Sequence, residues 1–169
     1  GITAEASGGK FEHGAVTAAY GYLFNQVAHR QPVLVGTPPP EVQDALSVLQ
    51  PLADKAAAYV DATCGLRCDV PFIGSAIRGT LIHSEFQRLV DALPYVGFTT
   101  EQSYLNRVPA LRGTPGSSRA DVVYGPVIKP IVAIDLKTGF WSTLSYPQAV
   151  QYGANLPAGT YLTVMKPKN

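Results

Sequence analysis

From Glu41 onward the apolar positions Val42, Ala45, Leu46 and Leu49 recur at helical spacing, with Glu41 and Asp44 in the first turn, where the helix dipole favours carboxylates. Pro51 predicts a restart, after which Leu52 to Val60 continues as helix. A second helical run spans Ile77 through Leu93, with Ile77, Leu81, Ile82, Phe86, Leu89, Val90 and Leu93 on its apolar side. Beyond Pro94 the chain breaks into short β-type runs divided by Gly and Pro: Phe98 to Leu105, Ala120 to Tyr124 and Ile131 to Lys137. The tract Gly113-Thr114-Pro115-Gly116-Ser117-Ser118 is a turn signal. Tyr146 to Asn155 is predicted as a helix, capped by Ser145 and ending before Pro157, and Tyr161 to Met165 as a last strand. The predicted order is helix, three strands, helix, strand, an α/β domain with a small mixed central sheet flanked by helices.

The segment before this pattern differs in character. Ala15 to Phe24 is apolar and suits a short helix, and Pro38-Pro39-Pro40 follows it. Three prolines have fixed φ and no amide hydrogens, so they favour an extended spacer. The expected organisation is a leading segment with its proline-rich linker over 1–40 and a main domain over 41–169, its core at about 77–165. A chain of 169 residues, 46% apolar and 15% charged, can bury a core, and its 16 Gly and 14 Pro promise many turns. No apolar run reaches the roughly 18 residues that span a bilayer, and the basic-then-apolar layout of a signal peptide is absent, so export is expected to rely on something outside this chain.

Net charge is +1, which says little about partners, but its distribution is uneven. Up to Asp61 three basic residues stand against six acidic ones; after it ten Lys and Arg stand against six Asp and Glu. The positive excess permits phosphate contact without demanding it. Cys64 and Cys68 are four apart, a spacing compatible with a local disulfide or half a metal site, and no second His or Cys pair is spaced to complete a zinc site.

The candidate chemistry lies in Ile131-Val132-Ala133-Ile134-Asp135-Leu136-Lys137. Four apolar residues suit a strand covered on both faces, and then two charges appear. Strand alternation puts Asp135 and Lys137 on one face and returns Leu136 to the core. Such charges are costly to desolvate unless something uses them. Asp121, on the preceding strand, can approach Asp135 if the two strands pair, and two carboxylates make a hard-oxygen pocket suited to Mg²⁺, with Mn²⁺ as a substitute. Lys137 would orient the attacking water, help to deprotonate it or stabilise transition-state charge in phosphodiester hydrolysis. A third acid has two candidates: Glu85, on the helix in His83-Ser84-Glu85-Phe86, and Glu101, on the first strand. On a regular strand Glu101 shares a face with Thr99 and Ser103, away from Phe98, Thr100 and Tyr104.

Asp121 followed by Asp135-Leu136-Lys137 resembles the Asp…(Asp/Glu)-x-Lys signature of the PD-(D/E)XK, or restriction-endonuclease-like, superfamily, and the element order is similar to its core; Ala120 stands where the nominal motif has proline. Gln148-Ala149-Val150-Gln151-Tyr152 resembles the Gln-x-x-x-Tyr of some members, both named side chains falling on one helix face. Gly79 to His83, Glu101 to Tyr104, Gly116 to Val123 and Asp135 to Gly139 together resemble nuclease toxin domains at the C-termini of bacterial polymorphic toxins, in which Glu101 would supply the first acid. Gly8 to Asn25 resembles the segment preceding such toxins in Rhs-repeat and contact-dependent-inhibition proteins. The resemblance implies a metal-dependent nuclease acting on DNA, or on RNA with the same fold. It also implies an effector attached to a parent toxin polypeptide upstream, delivered into the cytoplasm of a competitor cell and neutralised by a cognate immunity protein.

Several of these residues also have plainer readings. An isolated Asp-x-Lys is common on exposed strand ends. His83 reads as a phosphate contact, a proton-transfer group or a structural histidine; Arg119 as a phosphate ligand or the partner of a carboxylate; Gln148 and Tyr152 as supports of the site or a polar helix face; Trp141 as a base-stacking or packing residue.

Overall fold

A computed structural model describes residues 38–71, 73–94, 97–139 and 143–168. The predicted helix Ala15 to Phe24, nearly all of the leading segment and Trp141 lie outside the described residues. Helix α1 runs Pro40–Thr63, with Pro39 in an extended conformation before it and Pro40 in the first turn, where its missing amide costs nothing. It passes through Pro51 without the predicted restart. Val42, Ala45, Leu49, Ala53, Ala56, Ala57 and Val60 keep one buried stripe across the proline, so packing outweighs the lost backbone bond.

Cys64 and Cys68 form a disulfide around the turn that leaves α1, and α2 follows as Gly74–Asp91. The strands are β1, Phe98–Leu105; β2, Val108–Ala110; β3, Ser118–Tyr124; and β4, Val132–Leu136. Helix α3, Tyr146–Asn155, then leads to β5, Tyr161–Met165. Strand β2 is an addition to the predicted order. At three residues with a central proline it carries little strand signal, and it sits at the sheet edge, where proline is tolerated.

The described residues thus form a mixed α/β unit with three α-helices and a five-stranded sheet ordered β2-β1-β3-β4-β5. Pairing is antiparallel except between β4 and β5, which α3 joins as a parallel crossover. Helices α1 and α2 pack on one face with Val122, Val132, Ile134 and Leu136; Tyr152 and Leu156, at the end of α3, pack on the other with Val123, Ala133 and Leu162. Strand β4 is buried along its whole length, as its apolar run predicts. Ile82, Phe86, Ile134 and Leu136 are each at most 1% exposed and contribute about 1.5–3 kcal/mol apiece by burial.

Regular alternation fails at one place. Phe98 and Tyr104 have equal parity on β1, yet Phe98 packs against the α1–α2 side and Tyr104 within the α3 side. Val122 and Ala120 divide in the same way on β3. The register continues unbroken, Thr100 opposite Val122 and Gln102 opposite Ala120, so Glu101 and Asp121 stand opposite each other at the crossover of faces. Glu101 has φ +54°, in the left-handed region, so β1 departs from regular strand geometry at this residue. The expectation that Glu101 shares a face with Thr99 and Ser103 along a regular strand is therefore corrected.

The β1–β2 connection is a two-residue hairpin between paired Leu105 and Val108, with Asn106 at φ +49° and Arg107 at φ +72°. Positive φ at both central positions is the mark of a type I′ turn, where glycine is the easier second residue. Asn155 of α3 holds both amides: Asn106 N donates to its Oδ1 at 3.0 Å and Arg107 N to its backbone oxygen at 2.9 Å. Arg107→Gly is expected to raise the unfolding free energy by about 1 kcal/mol by removing the left-handed penalty. Asn155→Ala, which removes the acceptor for the Asn106 amide and the buried donor to Gly116 O and Ser118 Oγ, is expected to lower it by about 1–3 kcal/mol. Urea unfolding midpoints measure both.

Candidate functional site

The site forms where β3 and β4 stop pairing. Their ladder ends at Val122 opposite Ile134. Beyond it the amide of Leu136 donates to Asp121 Oδ2 at 2.6 Å, so a side-chain carboxylate satisfies the strand end. That contact brings Asp121 beside Asp135, and the two carboxylates repel each other. Lys137 Nζ lies 2.6 Å from Asp135 Oδ2, as the shared parity of the two residues predicts, while Leu136 packs into the opposite cluster.

Helix α3 closes the site from one side. Ser145 and Gln148 form a capping box: Ser145 Oγ accepts from Gln148 N at 3.4 Å, and Gln148 Oε1 accepts from Ser145 N at 3.2 Å and Oγ at 3.1 Å. The same Oε1 accepts from Lys137 Nζ at 3.4 Å, so the cap that starts the helix also sets the amide facing the lysine. One turn on, the Tyr152 hydroxyl has the backbone oxygen of Arg119 at 2.5 Å and Asp135 Oδ1 at 3.1 Å as acceptors, and shares one proton between them. Burial and the charges of Asp135 and Asp121 raise the Tyr152 pKa well above that of a free phenol, which keeps the hydroxyl a donor.

Helix α2 closes it from the other side. His83 Nδ1 is 3.2 Å from Asp121 Oδ1. One turn earlier, a Cβ on Gly79 would lie 2.8 Å from Thr138 Oγ1, so glycine lets α2 approach the segment leaving β4. The hydrogen bond to Asp121 raises the His83 pKa, burial opposes it, and the charges of Asp121, Asp135 and Glu101 reinforce it. Asp135 is 7% exposed, and burial raises its pKa against the pull of Lys137.

The two candidates for a third acid separate. Glu85 makes a bidentate pair with Arg88 on its own helix, at 2.6 and 2.8 Å, and feels Lys55 of α1. It is not brought to the site, because its position on α2 turns it towards α1. Glu101 stands opposite Asp121, but its Oε2 faces Arg119 at 3.0 Å and Arg112 at 3.5 Å. Among the described residues no set of three His, Cys, Asp or Glu is gathered closely enough to hold a metal ion.

Asp135 Oδ2 and Glu101 Oε2 are nevertheless buried and are met by cations alone, the Lys137 ammonium on one and the Arg119 and Arg112 guanidinium groups on the other. Both oxygens retain lone-pair capacity for a cation. Two adjacent aspartates fit Mg²⁺ or Mn²⁺, which take one or two carboxylates and complete the shell with water. A cleft of about 410 Å³ opens on these groups, with His83, Arg119, Lys137 and Tyr152 on its walls. Ser117, Thr138 and Gln151 also line it and were not anticipated. Gln151 could have been read from its place three residues after Gln148 on the same helix face; the serine and threonine carry no such signal.

No family model, curated protein or solved structure matches the chain.

A histidine whose folded pKa is raised contributes stability that is fully present below its ordinary value of 6.5 and is lost as pH rises through the folded value. With chelator present, His83→Gln is expected to cost more stability at about pH 5.5 than at about pH 9, by denaturant unfolding. Equal costs at the two pH values would remove the imidazolium–Asp121 pair from the account.

Proposed function

We propose that the chain is a metal-dependent nuclease of the PD-(D/E)XK kind, hydrolysing phosphodiester bonds in DNA. The observation that carries this reading is the buried Asp135, beside Asp121 and 2.6 Å from the Lys137 ammonium. A buried ion pair gains little stability over apolar packing of the same volume, so retaining three charges at one strand end favours a use for them.

Asp121 and Asp135 would hold the ion, with Glu101 joining on release from its arginines. Bound Mg²⁺ would polarise a phosphoryl oxygen and lower the pKa of a coordinated water. Lys137, held between Asp135 and Gln148, donates hydrogen bonds; it orients the water and stabilises charge on the phosphoryl oxygens as the phosphorus–oxygen bond to the leaving group breaks. Tyr152 fixes Asp135, and His83 fixes Asp121. Arg119, half-exposed on the cleft wall, is placed to meet a flanking phosphate. The hydrolytic groups do not choose between sugars, so RNA is the alternative substrate. Delivery as an antibacterial toxin, with a cognate immunity protein and action in the target-cell cytoplasm, rests on the sequence resemblance alone.

A second reading has two observations in its favour. The missing third ligand and the double arginine hold on Glu101 suit a module that binds nucleic acid or a protein without cutting. Asp135→Ala and Lys137→Ala are each expected to lower Mg²⁺-dependent cleavage of plasmid DNA at least about a hundredfold, with an unchanged circular dichroism spectrum. Full activity in both variants would sink the assignment. Total RNA in a parallel digest separates the two substrates, and calorimetric titration with Mn²⁺ separates enzyme from inert module: binding by wild type and its loss in Asp135→Ala supports the enzyme.

A further inference from the structure

The stretch from Gln102 to Ala120 contains Arg107, Arg112 and Arg119 and no Asp or Glu. It forms the far half of β1, all of β2 and the start of β3, the part of the sheet beyond the crossover at Glu101 and Asp121. Glu101, at its boundary, is the carboxylate within ion-pair distance of Arg112 and Arg119, and one carboxylate offsets only one of the two. Among the described residues no carboxylate pairs with the Arg107 guanidinium. The side chains of Arg112 and Arg119 are 67% and 43% exposed, and Val108 and Leu111 beside them are uncovered at 59% and 85%.

Two further facts connect this surface to the cleft. Arg112 and Arg119 converge on the same Glu101 oxygen, and Arg119 lies on the cleft wall. At the other end, Arg107 occupies a left-handed turn position that glycine would fill at lower cost, with α3 fixing its amide. A long cation kept where the backbone disfavours it is a strained feature of the kind that accompanies a binding role.

We propose that this β1–β2–β3 half is a nucleic-acid backbone surface, with Arg107 and Arg112 as phosphate contacts outside the catalytic cleft. Three guanidinium groups with one carboxylate among them leave a net positive surface beside the cleft, which complements a polyanion that continues past the scissile bond. A protein partner suits it less well, because Gln102 to Ala120 offers no carboxylate to pair with a partner's cations. The inference rests on the nuclease reading for its substrate class, but its test needs no cleavage.

The probe is a labelled DNA duplex of about 30 base pairs, bound to the whole chain without divalent metal and titrated with salt by fluorescence anisotropy. Arg107→Ala and Arg112→Ala are each expected to weaken binding about five- to tenfold and to make the slope of log affinity against log salt shallower by about 0.9. Arg107→Lys and Arg112→Lys are expected to restore the slope. Wild type that does not bind the duplex, alanine variants that keep both affinity and slope, or lysine variants that lose as much as alanine would overturn the proposal. A wild type that binds through these arginines yet does not cut with Mg²⁺ supports this surface and removes the nuclease reading. A wild type that cuts while both alanine variants bind normally does the reverse.

Discussion

Where β3 and β4 part, a buried backbone amide needs an acceptor, and the carboxylate of Asp121 supplies it at 2.6 Å to Leu136 N. An unpaired buried amide costs about 1–3 kcal/mol, so this bond decides how the sheet can end. It fixes Asp121 relative to β4 and thereby relative to Asp135, and it leaves Oδ1 for His83 of α2. Held by this bond, the two acids are a feature of the sheet itself and do not depend on a flexible loop.

The surrounding elements answer the same demand. Two carboxylates at the end of a buried strand repel each other, and the structure answers with Lys137 on Asp135, imidazole on Asp121 and a phenol hydroxyl shared between Asp135 and the backbone of Arg119. The helices bring these groups because each has a reason to start or pack where it does: α3 begins with a capping box whose glutamine faces the lysine, and α2 approaches Thr138 through the missing Cβ of Gly79. One buried oxygen each of Asp135 and Glu101 is met by cations alone. Charge held in a low-dielectric setting is expensive, which is why the buried Asp135 carries the functional reading.

The opposed pair Glu101 and Asp121 also divides the sheet into two working halves. On one side the strands pack between the helices; on the other the alternation is reversed and the stretch Gln102 to Ala120, without acidic residues, carries three arginines. The left-handed residue thus lies between the carboxylate site and the proposed backbone surface, which share one ladder.

Much of this was legible in the chain. The apolar stripe of α1, the all-apolar start of β4, the Ser145 cap and the parity of Asp135 with Lys137 follow from periodicity and local stereochemistry, which need no distant partner. Other features were settled only by tertiary packing. Pro51 does not interrupt α1, because the buried stripe on both sides of it outweighs one lost bond. Glu85 turns to Arg88 while Glu101 meets two arginines, because rotation of α2 and a positive φ on β1 are set by long-range fit. Strand β2, three residues with a proline, exists because β1 offers it an edge. Sequence by itself determined which residues carry charge at the end of a buried strand. The tertiary structure decided which of those charges meet, since that depends on strand ends and helix faces brought together from distant parts of the chain.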